Sequence, residues 1–229
     1  MRMIGMLGGM SWESSQEYYR LANTLVRERL GGVHSARVLL DSVDFAEVEE
    51  LQRTGRWQAA GELLAARAAA LEAAGAELLL ICTNTMHVVY DQVAAAVSVP
   101  VLHLADATAA RLTGAGLDRV GLLGTSFTME QPFYRERLAE RGVTALVPGD
   151  EDRAEVHRVI YEELVRGVVA DRSREAYRAV IARLVEQGSQ GIILGCTEIE
   201  LLIGPEDSPV PVFPTARIHI EDAVERALG

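Results

Sequence analysis

Two cysteines occupy the same place in two similar stretches of the sequence. "LLLICTNTMH" runs from Leu78 to His87 and "GIILGCTEIEL" from Gly191 to Leu201, with Cys82 and Cys196 each following a run of apolar residues. A thiol at a strand end that faces a helix N-terminus is expected to have a lowered pKa, and its thiolate can act as a base or a nucleophile. Either cysteine alone could be a small packed residue, but the pair in repeated surroundings favours chemistry.

Small polar residues follow both thiols. Thr83, Asn84 and Thr85 come after the first cysteine, and Thr197 and Glu198 come after the second. Hydroxyl and amide groups can hold a small carboxylate, although the same residue types also cap helices. Both uses can coexist at one turn, because both draw on the free N–H groups of a helix N-terminus.

A metal site is not predicted near either thiol. No CxxC or HxxxH spacing accompanies the cysteines, and His87 alone is a poor second ligand. The remaining histidines carry no motif, and each is predicted to be structural: His34, His103, His157 and His219.

Two glycine turns also resemble each other. "LGGMS" contains Met10 and Ser11, and "LGTS" contains Thr125. Neither turn has the GxGxxG or GK[ST] spacing of a nucleotide site. The glycines are instead expected to let backbone amides approach a small anion.

Arg53, in "EELQRTGRW", is a candidate partner for a side-chain carboxylate. A guanidinium group binds a carboxylate through two parallel charge-assisted hydrogen bonds. The alternative is a solvated arginine on a helix surface. Lysine is absent from the sequence, which excludes Schiff-base chemistry on a lysine.

Strands and helices alternate along the chain, which predicts an α/β fold. Continuous apolar strands separated by helices are typical of parallel sheets covered on both faces. Helices are predicted over residues 12–30 and from residue 57 to about residue 75. The predicted strands are "RMIGMLGG", "ARVLLDSVDF", "ELLLIC", "VPVLHLA", "RVGLLGT", "TALV", "GIILGC" and "VPVF".

The chain repeats itself at a nearly constant spacing. "IGMLGG" from Ile4 matches "VGLLGT" from Val120 at an offset of 116 residues, and the two cysteines are 114 residues apart. The repeat predicts two similar lobes. Ligands of open parallel sheets bind beyond the carboxyl ends of the strands, so lobes that face each other would each project one cysteine into the cleft between them.

The composition limits the partners of the protein. The 229 residues include 49% hydrophobic and 24% charged residues, and the formal net charge is -11. An acidic chain is repelled by nucleic acids and anionic membranes, so neither is expected as a partner. No signal peptide is evident in the sequence, and free thiols in a reducing cytoplasm are expected.

Four motifs together resemble the aspartate/glutamate racemase family of cofactor-independent amino acid racemases. They are "GMLGGMSWESS", "CTNTMH", "GLLGTSFTMEQPFY" and "GCTEIELL", and they span nearly the whole chain. The resemblance implies two pseudo-symmetric α/β lobes with the active site in the cleft between them, and usually a homodimer. A C-terminal helix at about residues 215–228 would pack on the first lobe, giving domains of 1–98 plus 211–229 and of 99–210.

The resemblance also implies a role for each matching residue. Cys82 and Cys196 would be acid/base groups on opposite faces of the substrate α-carbon, Arg53 would bind a distal carboxylate, and no cofactor would be needed. Glu198 stands where glutamate racemases have histidine and would face the substrate ammonium. The remaining substrate-binding positions would be Met10, Ser11, Thr83, Asn84, Thr85, Thr125 and Thr197.

The substrate implied is aspartate, glutamate or a broader set of amino acids. Some aspartate racemases place a lysine beside the distal carboxylate, and Arg166 is the nearest candidate for that cation here. Two alternatives stay open. One is a maleate isomerase or decarboxylase of the same fold with one nucleophilic cysteine, and the other is a non-catalytic protein that binds small carboxylates.

Overall fold

The first of two parallel sheets is built from the N-terminal half of the chain. In the computed structural model, which describes residues 1–229, the strands of this sheet have the order β2-β1-β3-β4. Leu7 lies opposite Ile81 in the central pair. The strands are β1 (Ile4–Gly8), β2 (Val38–Ser42), β3 (Leu78–Ile81) and β4 (Val101–Leu102).

The second sheet repeats this arrangement. Its strands have the order β6-β5-β7-β8 and are all parallel. Leu123, which matches Leu7 in the sequence repeat, lies opposite Leu194. The central pair is therefore shifted by one residue relative to the first sheet. The strands are β5 (Arg119–Gly124), β6 (Thr144–Leu146), β7 (Ile192–Gly195) and β8 (Val212–Pro214).

Helices connect the strands, as the alternating pattern predicts. The first helix begins after Ser11, whose side chain accepts from the N–H of Ser14, and it ends at Gly31, whose φ is 75°. The helices are α1 (Trp12–Leu30), α2 (Phe45–Arg53), α3 (Trp57–Ala73), α4 (Tyr90–Ala95), α5 (Leu104–Gly114), α6 (Ser126–Glu130), α7 (Pro132–Ala139), α8 (Asp150–Glu162), α9 (Asp171–Glu186) and α10 (Thr215–Leu228).

Short 3₁₀ turns complete the connections. Two of them follow the cysteine-bearing strands, and the other two lie in the second half of the chain. The turns are Thr85–Val89, Leu164–Arg166, Thr197–Leu201 and Pro205–Asp207. None of the helices combines the length and apolar character that a membrane crossing requires.

The chain divides into two units, each with its own sheet. The first unit comprises Met1–Leu104 and Ala216–Gly229, and the second comprises Ala105–Thr215. The boundaries predicted at 98 and 210 fall a few residues too early, because β4 completes the first sheet and β8 completes the second. The predicted strand "VPVLHLA" is also too long, since β4 ends at Leu102 and α5 begins at Leu104.

Alternation along β3 explains how the first sheet is buried on both faces. Leu78 and Leu80 pack into one core cluster with α1 and α10. Leu79 and Ile81 point to the other face and pack against α2 and α3, as the period of two in a strand requires. The C-terminal helix α10 thus belongs to the first unit, where the resemblance placed it. A single large cluster fills the second unit around β7, α8 and α9.

Candidate active site

The candidate residues of the first unit leave two neighbouring strands at the same edge of the sheet. Met10 and Ser11 follow β1, while Cys82 and its polar neighbours follow β3. The N–H of Cys82 donates to the carbonyl oxygen of Leu7 at 2.9 Å, which continues the parallel ladder to the thiol. The carboxyl edge of β1 and β3 therefore brings the first glycine turn and the first cysteine together.

The Cys82 thiol is completely buried, with an exposed fraction of 0%. Burial raises the pKa of this thiol well above its ordinary value, because a thiolate loses its hydration in an apolar environment. The expectation of a lowered pKa is therefore wrong for the protein without substrate. The segment after Cys82 is a 3₁₀ turn rather than the first turn of an α-helix, and burial dominates.

His87 fixes the backbone of the turn that follows Cys82. Its Nδ1 lies 2.8 Å from the carbonyl oxygen of Thr83, and its Nε2 lies 3.1 Å from the backbone nitrogen of Leu104. An amide N–H can only donate, so Nε2 accepts and Nδ1 carries the proton that binds Thr83. This neutral histidine connects the backbone of Thr83 to that of Leu104. Between Thr83 and His87 lie Asn84 and Thr85. The latter two are buried.

Ser15 supports the first glycine turn in a similar way. Its hydroxyl accepts from the N–H of Gly9 at 2.8 Å and donates to the carbonyl oxygen of Ser11 at 2.9 Å. Gly9 has a φ of 88° and lies against the backbone of Val43, a position that excludes a side chain. Sequence reasoning missed Ser15, although its spacing of four residues from Ser11 in "SWESS" was a usable signal.

The side chain of Met10 is part of the apolar core. It is buried in the apolar cluster on the α2 and α3 face of the sheet. Any contact between Met10 and a substrate would therefore come from its backbone. Ser11 keeps a hydroxyl that caps α1 and lies 3.2 Å from the hydroxyl of Ser14.

The second unit has an equivalent turn after β5. Thr125 caps α6, and its hydroxyl accepts from the N–H of Thr128 at 3.3 Å. The backbone N–H of Ser126, the residue after Thr125, donates to Nδ1 of His157 at 3.2 Å. Burial lowers the pKa of His157, which favours the neutral ring needed to accept this bond. Thr125 and Ser11 thus occupy matching capping positions in the two units.

The second cysteine differs from the first in its contacts. Cys196 is partly exposed, and its Sγ donates to Oε2 of Glu198 at 2.8 Å. The hydroxyl of Thr197 donates to the same oxygen at 3.0 Å. Burial raises the pKa of Cys196, and the negative charge of Glu198 raises it further. This contact between thiol and carboxylate is not visible in the sequence.

Arg53 lies on the surface at the end of α2. Its side chain is 62% exposed and forms an ion pair with Glu50. The preceding residue, Gln52, is buried and donates to Sδ of Met86 at 3.0 Å, so the last turn of α2 lies beside the 3₁₀ turn after Cys82. The geometry resembles the solvated helix-surface alternative, and the role of Arg53 toward a distal carboxylate stays a prediction. Arg166, the other candidate cation, is exposed as well.

A sequence model of the Asp/Glu/Hydantoin racemase family matches residues 7–223, almost the whole chain. The chain belongs to this family. Solved structures agree: a proposed Asp/Glu racemase from Yersinia pestis is 52% identical, with a TM-score of 0.95 and complete coverage of both chains. An aspartate racemase homologue from Pyrococcus horikoshii is 36% identical, with a TM-score of 0.89 over both complete chains.

A curated relative points the same way. The broad specificity amino-acid racemase RacX of Bacillus subtilis is 24% identical over 162 residues, which cover 69% of this chain and 68% of RacX. The resemblance to the racemase family and the α/β fold with two parallel sheets are therefore confirmed. Racemases are isomerases, so the predicted enzyme class is confirmed at the level of the family.

Proposed function

We propose that this member of the racemase family interconverts the enantiomers of aspartate or glutamate without a cofactor, with Cys82 and Cys196 as its acid/base pair. One observation carries the proposal: each thiol follows one of the two central strands of a four-stranded sheet, next to a glycine turn, and the two sheets have the same strand order. The printed descriptions of the Yersinia and Pyrococcus relatives support acidic amino acids, and that of RacX supports a broader range.

The reaction needs two groups because the α-carbon must lose its proton on one face and gain one on the other. One cysteine begins as a thiolate, takes the α-proton and becomes a thiol. The other begins as a thiol, gives its proton to the carbanion and becomes a thiolate. The α-proton is much less acidic than a thiol, so general base catalysis must be combined with stabilisation of the charge that develops on the carboxylate.

Donors for that charge lie at the same sheet edges as the thiols. In the first unit they are the hydroxyls and amides of Ser11, Thr83, Asn84 and Thr85, and in the second they are those of Thr125 and Thr197. A capping bond orients the side chain of Thr125, and the two neutral histidines hold the backbone of the turns, before the substrate binds. Preorganised donors of this kind stabilise a transition state without reorganisation during the reaction.

Because both thiols are disfavoured as thiolates, the substrate itself is proposed to promote their ionisation. The pKa values of Cys82 and Cys196 are both raised in the protein without substrate, so the thiolate is disfavoured there. An amino acid brings an ammonium group, and a positive charge close to a thiol favours its ionised form. We propose that the thiolate forms together with the enzyme–substrate complex.

Selectivity for an acidic side chain would come from Arg53. We propose that a substrate carboxylate replaces Glu50 as the partner of this guanidinium. Solvent weakens an exposed ion pair, so the exchange costs little. The homodimer and the cytoplasmic location implied by the resemblance remain predictions, and sedimentation of the purified protein would test the first of them.

The test is incubation of the purified, reduced protein with a panel of amino acids in deuterium oxide. We expect deuterium to enter the α-position of aspartate or glutamate while the optical rotation of either pure enantiomer decays to zero. Mass spectrometry reads the first quantity and polarimetry reads the second. Non-acidic amino acids in the same panel measure how broad the specificity is.

Three other results would contradict the proposal. No exchange with any amino acid would exclude a racemase. A covalent adduct on one cysteine would favour the isomerase or decarboxylase chemistry. Tight binding of an amino acid without deuterium incorporation would indicate a binding protein instead.

A further inference from the structure

Cys196 and Glu198 form a contact that has no counterpart at Cys82. The Sγ–Oε2 distance is 2.8 Å, and Glu198 is 7% exposed. The same carboxylate oxygen accepts from the hydroxyl of Thr197. A carboxylate that accepts from two neighbouring side chains is held by them, and it acts on the sulfur at hydrogen-bond distance.

The proton in this pair belongs to sulfur. A thiol is a much weaker acid than a carboxylic acid, so the proton of this hydrogen bond stays on sulfur, the donor atom. Other ionisable groups near Cys196 do not reverse this order. The charge of Glu200 also disfavours the thiolate, and Tyr177, the other group electrostatically coupled to Cys196, is buried and donates its own proton to the carbonyl of Val156.

We infer that Glu198 keeps Cys196 protonated in the free enzyme, so that Cys196 starts the cycle as the acid and Cys82 is the thiol that releases its proton to solvent on substrate binding. This inference rests on the proposed function. It changes the role implied by the resemblance, in which Glu198 faces the substrate ammonium. Glu198 acts through Cys196 and is therefore a positioning residue.

With Cys82 as the base and Cys196 as the acid, each proton transfer in one turnover can be followed. The Cys82 thiolate takes the α-proton, which breaks a C–H bond and forms an S–H bond. Cys196 then gives its proton to the carbanion, and its sulfur becomes a thiolate beside the Glu198 carboxylate. Two adjacent negative charges repel each other, so the Cys196 thiolate readily regains a proton from solvent. The two free forms of the enzyme are unequal, although the two motifs in the sequence are similar.

The test measures the ionisation of each thiol without any substrate. Wild-type protein and the Glu198→Gln variant are alkylated with iodoacetamide between pH 6 and pH 10, and peptide mass spectrometry follows both cysteines in the same sample. Only the thiolate reacts. Removal of the carboxylate should lower the apparent pKa of Cys196 by at least about one unit, and alkylation near neutral pH then becomes about tenfold faster.

Three comparisons separate this effect from damage to the fold. Cys82 should keep its wild-type alkylation profile in the Glu198→Gln variant. The Glu200→Gln variant removes an equal charge from the same 3₁₀ turn without the contact to sulfur, and should give a smaller shift. Glu198→Asp keeps the charge on a shorter side chain and should give a profile between those of the wild type and Glu198→Gln. It also provides the test if Glu198→Gln does not fold.

Unchanged or slower alkylation of Cys196 in Glu198→Gln would overturn the inference. An unchanged rate would show that the carboxylate does not hold the proton, and a slower rate would show that it activates the thiolate. Because alkylation needs no substrate, the inference and the proposed function fail separately. The racemisation assay decides the second, and we expect the activity of Glu198→Gln to fall while the reactivity of Cys196 rises.

Discussion

The two cysteines end equivalent strands but lie in different chemical surroundings. Cys82 is completely buried, and burial alone raises its pKa. Cys196 is partly exposed and donates to the Glu198 carboxylate at 2.8 Å. A neutral histidine holds the turn after the first thiol, whereas a negative charge accompanies the second. Similar motifs thus place two thiols alike but surround them with different charged and polar groups.

The difference extends to the strands that precede the thiols. Leu7 lies opposite Ile81 in the first sheet, but Leu123 lies opposite Leu194 in the second. The second cysteine is therefore shifted by one residue relative to its glycine turn. A repeat can keep its strand order while the registers of its copies diverge, because each register is set by the local packing of that sheet.

The largest predicted difference between the two units is in the pH dependence of stability, and it comes from the buried ring of His219. Burial of the ring lowers the pKa of His219 to about 3. The unfolded chain binds this proton at an ordinary pKa of about 6.5. The stabilisation from the neutral ring is therefore present above pH 6.5 and is lost as the pH falls toward 3. Between pH 7 and pH 4 we expect a loss of about 3 kcal/mol from this group.

Urea unfolding at those two pH values measures the loss. The Nε2–H of His219 donates to the carbonyl of Leu102, and its Nδ1 accepts from Tyr18, and glutamine can make both kinds of bond. The His219→Gln variant should show the smaller decrease in unfolding free energy. His157→Gln is the matched control in the second unit, where the ring is only partly buried. An equal pH dependence in wild type and His219→Gln would contradict the assignment.

A second prediction concerns selectivity, to which only the first unit is proposed to contribute. Arg53→Ala should lower kcat/KM for aspartate or glutamate by about fivefold, because an ion pair at an exposed guanidinium is weakened by solvent. Turnover of a non-acidic amino acid should change little. Arg56→Ala is the control, because Arg56 also lies beside Glu50, at 3.8 Å. Equal losses in the two variants, or losses that ignore the substrate side chain, would remove Arg53 from the site.

The smallest predicted effect compares the two capping residues. Ser11→Ala and Thr125→Ala each remove a side chain that accepts from a helix N–H. Each change should reduce the free energy of unfolding by about 1 kcal/mol. Urea denaturation measures the loss, and Ser11→Thr, which keeps the hydroxyl, should stay close to wild type. A large loss at only one of the two positions would show that the turns are not equivalent.

Much of the fold could be predicted from the sequence because its signals are local. The helix at 12–30 was bounded by a serine and by glycines in the sequence, and the structure agrees. The helix at about 215–228 was implied by the family resemblance, and α10 has these bounds. The short strand β4 was predicted too long, because an apolar run alone does not show where a helix begins. The predicted lobe boundaries fell a few residues too early because β4 belongs to the first sheet and β8 to the second.

The chemistry of the site was less predictable because it depends on burial and on contacts. The positions of Cys82 and Cys196 were visible in the repeat, but the direction of their pKa shifts was not. His87 and Ser15 act through backbone groups, and such contacts leave only weak signals in a sequence. The approach of Glu198 to sulfur depends on the rotamers within one 3₁₀ turn.

The central claim is that the two thiols act on opposite faces of one α-carbon. The most direct measurement is α-hydrogen exchange in deuterium oxide by Cys82→Ala and Cys196→Ala, with each pure enantiomer in turn. Both variants should lose racemisation by at least about a thousandfold, since each lacks one acid/base group. Each should keep exchange with a single enantiomer, and the enantiomer should differ between the two variants. Exchange of the same enantiomer by both, or wild-type racemisation by either, would contradict the account.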